Sequence, residues 1–275
     1  MRVLLVTDSH LAPGSEAANR NWDAVRAFAE RSKAALTIHL GDITRDGWSE
    51  PSEHEFAAAA SEDWPTPIRF LPGNHDVGDN PPGPDTPCKQ PLSSELLARH
   101  RALFGDDYWV LDAGGEEDWR LIGINAQLLG SDTPHEDEQW AWLEAAIAEA
   151  AGRPVALFSH KPLYQDDPES EPPHIRYVPT APRRRLRELL SKADCRLFTS
   201  GHTHQALDRM LDGTRHIWLP STAYRFPDDM QEQIGRKLVG IGLLHLDREA
   251  GPEGFRFDLI APEGMVQHEF VRRTA

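Results

Sequence analysis

The sequence has only two cysteines, Cys88 and Cys195, far apart and outside any C-x-x-C spacing. That scarcity excludes a disulfide-stapled scaffold and a thiolate zinc site, and it suits a reducing compartment. Long hydrophobic runs are missing too, so no membrane span is expected. The first apolar run, Val3-Leu4-Leu5-Val6 behind a single Arg2, is too short for the core of a secretory leader. Positive charge is in deficit: 29 Lys and Arg face 44 Asp and Glu, a net charge of −15. The balance argues against a nucleic-acid-coating surface or an anionic-membrane surface, while leaving room for a local positive site. There is no repeat of fixed period, no low-complexity tract and no convincing linker. The expectation is a soluble, cytoplasmic protein with residues 1–275 in a single domain, and nothing in the pattern specifies an oligomer.

What is present is a series of short apolar runs that stop abruptly on polar residues. Val3–Val6 reads as a buried strand and leads directly into Thr7-Asp8-Ser9-His10. Asn19–Ala34 has the apolar spacing of a helix, with Trp22, Val25, Phe28 and Ala29 on one face. Leu36–Leu40 is a second strand and runs into Gly41-Asp42. Strand, helix, strand with short connections predicts a largely parallel sheet. Glu53–Ala60 reads as an Ala-rich helix, and Ile68–Leu71 as a third strand that ends in Gly73-Asn74-His75-Asp76.

Val77–Pro91 is Pro-rich and long enough to be a functional loop. Ser93–Phe104 follows as a helix, and Tyr108–Leu111 with Arg120–Ile124 as a hairpin around Gly114-Gly115. Thr133-Pro134-His135-Glu136 is a helix start, with Thr as N-cap, Pro first and Glu three residues after the cap. That helix should run to about Ala151. Val155–Phe158 is a strand ending in Ser159-His160, and Leu163–Ala181 is a second Pro-rich loop. Arg183–Leu190 is a short helix, and Arg196–Thr199 a strand ending in Gly201-His202-Thr203-His204. His216–Leu219, Leu238–Leu246 and Phe255–Ile260 complete the pattern as strands.

Five strands therefore end in Asp8-x-His10, Gly41-Asp42, Gly73-Asn74-His75-Asp76, His160 and Gly201-His202-x-His204. In open α/β sheets, ligands bind at the carboxyl ends of the strands. Residues i and i+2 of an extended segment point the same way, so Asp8 with His10, and His202 with His204, can each face one site. The set contains two carboxylates (Asp8, Asp42), one amide (Asn74) and four imidazoles (His10, His160, His202, His204) besides His75. Without a thiolate it suits divalent manganese, iron, zinc or nickel. Seven ligands exceed one tetrahedral ion and match two ions that share a carboxylate. Paired ions roughly 3.5–4 Å apart, bridged by hydroxide, are a standard arrangement for hydrolysing phosphate esters. Two dications against Asp8, Asp42 and a hydroxide leave about one net positive charge, which would draw a phosphate.

The ordered blocks D-x-H, G-D, G-N-H-D, H and G-H-x-H resemble the calcineurin-like metallophosphoesterase superfamily, from residue 1 to about 220. The resemblance implies an α/β metallophosphoesterase fold, a four-layer α/β/β/α sandwich of two mixed sheets flanked by helices. It implies one metal held by Asp8, His10 and His204, another by Asn74, His160 and His202, and Asp42 bridging them. His75 would give a proton to the leaving alkoxide or stabilise the transition state, with Asp76 holding it. Purple acid phosphatases place a tyrosine ligand three residues after the Gly-Asp aspartate; Arg45 stands there in this chain. Protein serine/threonine phosphatases carry G-D-x-x-D-R-G and G-N-H-E; here the order is Arg45-Asp46-Gly47, and Asp76 replaces the Glu. Asp8-Ser9-His10-Leu11 with Gly-Asn-His-Asp looks most like the bacterial cyclic-nucleotide and glycerophosphodiester phosphodiesterase branch.

The implied activity is metal-dependent hydrolysis of a small phosphodiester. The alternative is a phosphomonoesterase or nucleotide hydrolase on the same two-metal site; a non-catalytic scaffold lacks support because no ligand is missing, and a nuclease because no basic stripe exists. Substrate choice should reside in the loops Leu11–Asn19, Val77–Pro91 and Leu163–Ala181. Other residues have plainer expectations. His39 belongs to a strand face, Trp140 and Trp142 to a helix core and rim, His135 to a helix first turn, and His54, His100, His174, His245 and His268 to surface or loop. The basic run Arg183, Arg184, Arg185 and Arg187 pairs most simply with the acidic loop Asp166–Glu171, with a phosphate clamp as the sharper option. Tyr164 either packs its loop or lines the pocket.

Overall fold

The structure, a computed structural model, describes residues 1–81, 88, 90–113, 118–170, 176–247 and 253–271. In chain order it has β1 (Arg2–Val6), α1 (Glu16–Ser32), β2 (Leu36–His39), α2 (Ser52–Ala60), β3 (Ile68–Phe70), α3 (Asn74–Val77) and α4 (Ser94–Phe104). Next come β4 (Trp109–Ala113), β5 (Trp119–Ile124), α5 (Pro134–Ala148), β6 (Val155–Ser159), α6 (Thr180–Leu190) and β7 (Cys195–Ser200). The last four elements are strands: β8 (Leu207–Leu211), β9 (Thr214–Trp218), β10 (Ile241–Leu246) and β11 (Phe255–Ile260).

Two mixed sheets result. The first has the order β11-β10-β1-β2-β3, in which β1, β2 and β3 run parallel while β10 and β11 add antiparallel. The second has the order β4-β5-β6-β7-β9-β8, with a parallel centre and an antiparallel strand at each edge.

Side-chain alternation gives each central strand two different neighbours. Val3 and Leu5 join Trp119, Leu121, Phe158 and Leu197 in a core between the sheets. Leu4 and Val6 turn the other way, onto Trp22 and Val25 of α1. In β6, Ala156 and Phe158 face the first sheet, whereas Val155 and Leu157 pack with Trp140 and Leu143 of α5 and Leu186 of α6. Each large side chain buried this completely contributes roughly 1.5–3 kcal/mol relative to exposure. The layers are therefore helix, sheet, sheet, helix, the expected α/β/β/α sandwich.

Several elements differ from expectation, some of them for a plain local reason. Helix α1 starts at Glu16, before Asn19, with an acidic residue placed in the favourable first turn. The strand anticipated from Leu238 starts only at Ile241, because the Gln267 side chain takes both backbone groups of Val239, at 2.8 and 2.7 Å. Strand β8 was not anticipated; Leu207-Asp208-Arg209-Met210-Leu211 is a half-polar edge with alternating exposure. Helix α5 opens on Pro134 as expected, but the Glu136 carboxylate accepts from Gly130 N and Asp132 N rather than closing on Thr133. Strands β4 and β5 pair as a hairpin, and its Gly114-Gly115 turn lies outside the described residues.

The carboxyl ends of β1, β2, β3, β6 and β7 meet at one rim where the two sheets face each other. Asp8 N donates to Gly41 O, and Gly201 N to His160 O, both at 2.9 Å, within their own sheets. Across the gap, His202 N donates to Asp8 Oδ2 (3.0 Å) and His160 Nδ1 to Leu40 O (3.0 Å).

Candidate metal centre

The five expected blocks converge on that rim, although not by the expected backbone. An extended chain would turn Asp8 and His10, or His202 and His204, to a common side by alternation. Instead Asp8, His10, Asp42, His202 and His204 all adopt left-handed backbone, with φ of 51°, 45°, 53°, 66° and 54°. Each such non-glycine residue costs about 1 kcal/mol or more and persists where its surroundings dictate it. Here the surroundings are backbone hydrogen bonds: His10 N to Asp42 O (3.1 Å), Leu11 N to Ile43 O (2.8 Å) and Ala223 N to Asp8 O (3.3 Å). Ser9 adds a clasp, its hydroxyl donating to Ile43 O while receiving the His39 Nε2 proton at 2.8 Å. His39, the last residue of β2, is buried, as expected for a strand-face residue.

Two groups of donors result. Asp8, His10 and His204 form the first: His204 Nε2 lies 3.2 Å from Asp8 Oδ1 and 3.2 Å from His10 Nε2. Asp42, His160 and His202 form the second, with His160 Nε2 3.4 Å from Asp42 Oδ2 and 3.1 Å from His202 Nδ1. Asn74 joins the second group, its Oδ1 3.3 Å from His160 Nε2. Asp42 links the groups, since the same Oδ2 lies 4.0 Å from His10 Nε2. All seven expected ligands are thus brought together.

The donors fit a divalent cation. His204 Nδ1 donates to Tyr224 O and His160 Nδ1 to Leu40 O, each at 3.0 Å, so both rings turn Nε2 toward the rim as the ligand atom. Asp8 Oδ2 accepts from Thr7 Oγ1 (2.6 Å) and His202 N, whereas Asp8 Oδ1 is buried and accepts no hydrogen bond. An orphaned carboxylate oxygen facing imidazole lone pairs is a cation site in its donor chemistry. Burial favours protonated carboxyls, yet the facing rings (His204 for Asp8, His160 and His75 for Asp42) hold both well below the ordinary range. Burial also works against charge on His160, but Asp42 and Asp8 push its pKa up to about 9. Burial and His75 keep His10 at about 3, and burial with His160 holds His202 far below neutrality. A cation arriving at the second group therefore displaces a proton.

His75 sits beside both groups, its ring edge-on to His10 at 4.9 Å. Its backbone N–H donates to Asp42 Oδ1 at 2.9 Å, and its Nδ1 donates to Arg45 O at 2.5 Å, which leaves Nε2 for the site. Burial opposes charge on this ring, but the Asp42 carboxylate and the Arg45 carbonyl raise its pKa above the usual histidine value. His75 also falls within ligand distance of His10 and Asp42.

Asp76 was expected to hold His75 and does not touch its ring. Its carboxylate accepts from Gly73 N (2.8 Å), Ile43 N (3.1 Å), Thr44 N (2.8 Å) and Thr44 Oγ1 (2.7 Å). The backbone of the β2 turn competes for the same oxygens and lies closer. Asp76 thereby ties the Asp42 turn to the Asn74 turn.

A model of the calcineurin-like phosphoesterase family matches residues 1–206. The chain belongs to the calcineurin-like phosphoesterase family. As a calcineurin-like phosphoesterase it is a hydrolase of phosphoric esters, and divalent metals are what the clusters above can hold. It is 26% identical over 242 residues to the 3',5'-cyclic adenosine monophosphate phosphodiesterase CpdA of Escherichia coli K12, covering 82% of this chain and 78% of that protein. The Pseudomonas aeruginosa CpdA is 28% identical over 264 residues, covering 89% and 85%. A dimetal phosphatase from Danio rerio shares the fold with a TM-score of 0.62 at 14% identity, covering 89% of this chain and 92% of that one. No helix among the described residues is long and apolar enough to cross a membrane.

Several residues of this phosphoesterase lie elsewhere than expected. His54 and His100 are fully buried rather than on the surface. His54 Nε2 donates to Asp76 O at 3.0 Å, directly under the site. Arg183 is buried on the Pro168 and Ser170 carbonyls, Arg184 pairs with Glu169, and Arg187 with Asp212 and Glu169. Arg185 instead reaches Glu144. The basic run is largely engaged with its own acidic loop, as the simpler expectation held. Tyr164 is buried and donates to Asp212 Oδ2 at 2.9 Å, so it packs its loop. His174 lies outside the described residues.

Sequence reasoning also passed over a supporting layer. Lys161, next to His160 and fully buried, donates to the Asp79 carboxylate and to Asn80 Oδ1. Gln127, oriented to donate to Asp79 Oδ1 (3.0 Å), accepts from Asn74 N at 3.3 Å. The one available signal was a lysine adjoining a ligand inside an apolar setting.

Proposed function

We propose that this chain hydrolyses a small phosphodiester, of the cyclic-nucleotide or glycerophosphodiester type, at a two-metal centre. Asp8, His10 and His204 would hold one ion and Asn74, His160 and His202 the other, with Asp42 available to both. The observation that carries the reading is the position of Asp42 Oδ2, 3.4 Å from His160 Nε2 and 4.0 Å from His10 Nε2. Bound divalent ions supply Lewis acidity and positive charge for phosphoryl transfer to water. His75, locked by the Arg45 carbonyl, presents Nε2 to the leaving oxygen and gives it a proton as the phosphorus–oxygen bond breaks. The fixed Asp42 contact to His75 N keeps acid and metal ligand in register. Asp76 serves the site through the two turns it joins. The curated relatives named above are cyclic AMP phosphodiesterases, which supports the diester class. The chain is read as one domain because β10 pairs with β1, so the residues after 206 complete the first sheet.

The test is a manganese-reconstituted screen of phosphomonoesters, linear diesters and cyclic nucleotides, with Asp42→Ala as control. Diester turnover that Asp42→Ala abolishes is the expected result; turnover of monoesters alone would sink the reading in favour of a phosphomonoesterase. His75→Ala should retain both metals by elemental analysis and lose about a hundredfold or more in rate, whereas Asn74→Ala should lose metal. Metal loss in His75→Ala would instead make His75 a ligand.

A further inference from the structure

The site opens into a cavity of about 570 Å³ lined by His10 and His75, by the polar and small residues of two segments (14–18, and Arg45 with Asp46) and, on one side, by the rings of Tyr224, Phe226 and Phe270. Tyr224 stacks on His10 with ring centres 5.0 Å apart and planes 25° from parallel. Phe226 packs on His204 at 4.9 Å. Phe270 closes the wall, 5.1 Å from Tyr224 and 5.2 Å from Phe226. All three rings are only partly buried and line the cavity together with His10 and His75.

Phe270 belongs to a segment well beyond residue 206, where the family match ends. Its described residues after β11, 261–271, form no helix or long strand, yet hydrogen bonds hold them from Val266 to Phe270. Val266 N donates to the buried Asn21 Oδ1 (2.7 Å), and Asn21 Nδ2 donates back to Val266 O (3.1 Å). Gln267 binds both backbone groups of Val239. Arg225 N donates to His268 O (2.9 Å), and Phe270 N to Arg225 O (2.8 Å). The wall is preorganised, so a ligand meets no ordering cost there.

The charges around the cavity narrow the ligand. Among the described lining residues Arg45 is the arginine or lysine, and its guanidinium is already bound to Asp46, Glu53 and Ser15 Oγ. Glu16 and Asp46 also line the cavity, so a second phosphate or carboxylate on the substrate is disfavoured. On the ring faces themselves a polyol finds no hydrogen-bond partner for its hydroxyls, whatever Ser15, Glu16 and Asp46 offer elsewhere in the cavity. A flat, uncharged ring would stack there.

The geometry points to a subsite, built by Tyr224, Phe226 and Phe270, that holds a planar aromatic or heteroaromatic group of the ester on its leaving side. This rests on the phosphodiesterase reading above and narrows it: of the two diester types, the one bearing a ring is preferred over the glycerol type.

The experiment uses the manganese-loaded full chain and two diesters whose alcohols are similar in basicity, dibenzyl phosphate and diethyl phosphate. The subsite predicts a higher kcat/KM for dibenzyl phosphate, expressed mainly in KM. Phe270→Ala, and Phe270→Leu as a variant that keeps apolar volume without the ring, should each reduce the dibenzyl-to-diethyl ratio about tenfold, the scale of one stacking contact. Saturation-transfer NMR should show the phenyl protons of dibenzyl phosphate in contact with the wild type and weakened contact in both variants. An unchanged ratio in both variants, with equal turnover of the two diesters, overturns the subsite while leaving the phosphodiesterase reading intact. If neither diester is turned over but monoesters are, the phosphodiesterase reading fails. The subsite is then judged by the same ratio for benzyl and ethyl phosphate, and an unchanged ratio there overturns it as well.

Discussion

Replacing Gly73 by alanine should damage the metal centre without touching a proposed ligand. The backbone would accept the change, since φ at Gly73 is −107°. The space would not: a Cβ there lies 2.1 Å from Asp42 Oδ1 and 2.3 Å from Asp42 N. Ordinary contacts are about 3.5 Å, so the Asp42 turn or α3 must move by roughly 1 Å. Asp42 Oδ1 is fixed by His75 N and Oδ2 faces His160 and His10, so the shift reaches both donor groups and the His75 ring together. Displacement on that scale costs about a hundredfold in rate, and the overlap itself costs about 1–3 kcal/mol of stability. Manganese titration by calorimetry, diester turnover and urea unfolding of the metal-free protein read the three effects separately. Gly152→Ala is the control, because φ there is +83° with nothing within 4 Å. It should lose about 1 kcal/mol of stability and keep wild-type metal binding. Gly73→Ala with unchanged manganese affinity and rate would refute the steric coupling of Gly73 to Asp42.

Two further substitutions test the layers beneath. Asp76→Ala leaves the N–H groups of Ile43, Thr44 and Gly73 buried without their acceptor, for an expected loss of roughly 3–5 kcal/mol in urea unfolding of the metal-free protein. A loss under about 1 kcal/mol would mean that water or a shifted turn replaces the carboxylate. His100 is fully buried with neither ring nitrogen bonded, and burial lowers its pKa from 6.5 to about 4 against the opposing pull of Asp76 and Asp107. Between those values the unfolded chain binds a proton that the folded chain refuses. Its contribution is complete above pH 6.5 and is lost on acidification toward pH 4, a span worth roughly 3 kcal/mol. In His100→Leu that loss disappears, so the stability gap between wild type and variant should shift in the variant's favour from pH 7 to pH 5. Parallel stability curves would refute it.

The parts of the fold legible in the sequence are those where burial is continuous along the chain. Strands β1, β2 and β6 are buried on both faces and therefore read as unbroken apolar runs with sharp ends. The polar residues at those ends stand out for the same reason. Edge strand β8 escaped notice because one of its faces meets solvent. The convergence of Asp8 with His10 was anticipated through an extended backbone, whereas left-handed turns produce it; turn conformation there is set by bonds from Gly41, Asp42 and Ala223, which lie far away in sequence. Asp76 illustrates the same limit. Adjacency suggested His75 as its partner, but the nearest unsatisfied donors belonged to a turn over thirty residues away. His54 and His100 differ only in what packs over them, and nothing in their local sequence records that.

The left-handed turns carry a consequence for how such a centre survives mutation. Asp8, His10, Asp42, His202 and His204 each occupy backbone that glycine would adopt more easily. Selection for a robust fold alone would therefore relieve the backbone strain of this rim, keeping at Asp8 and Asp42 only a side-chain oxygen to accept from His202 N and His75 N, and leave it less able to hold an ion. A library randomised at these five positions and sorted only for thermal survival without metal should drift toward glycine and asparagine. The same library sorted for catalysis should return to aspartate and histidine. The identity of these residues is a record of chemical use, held against the preference of the chain that carries them.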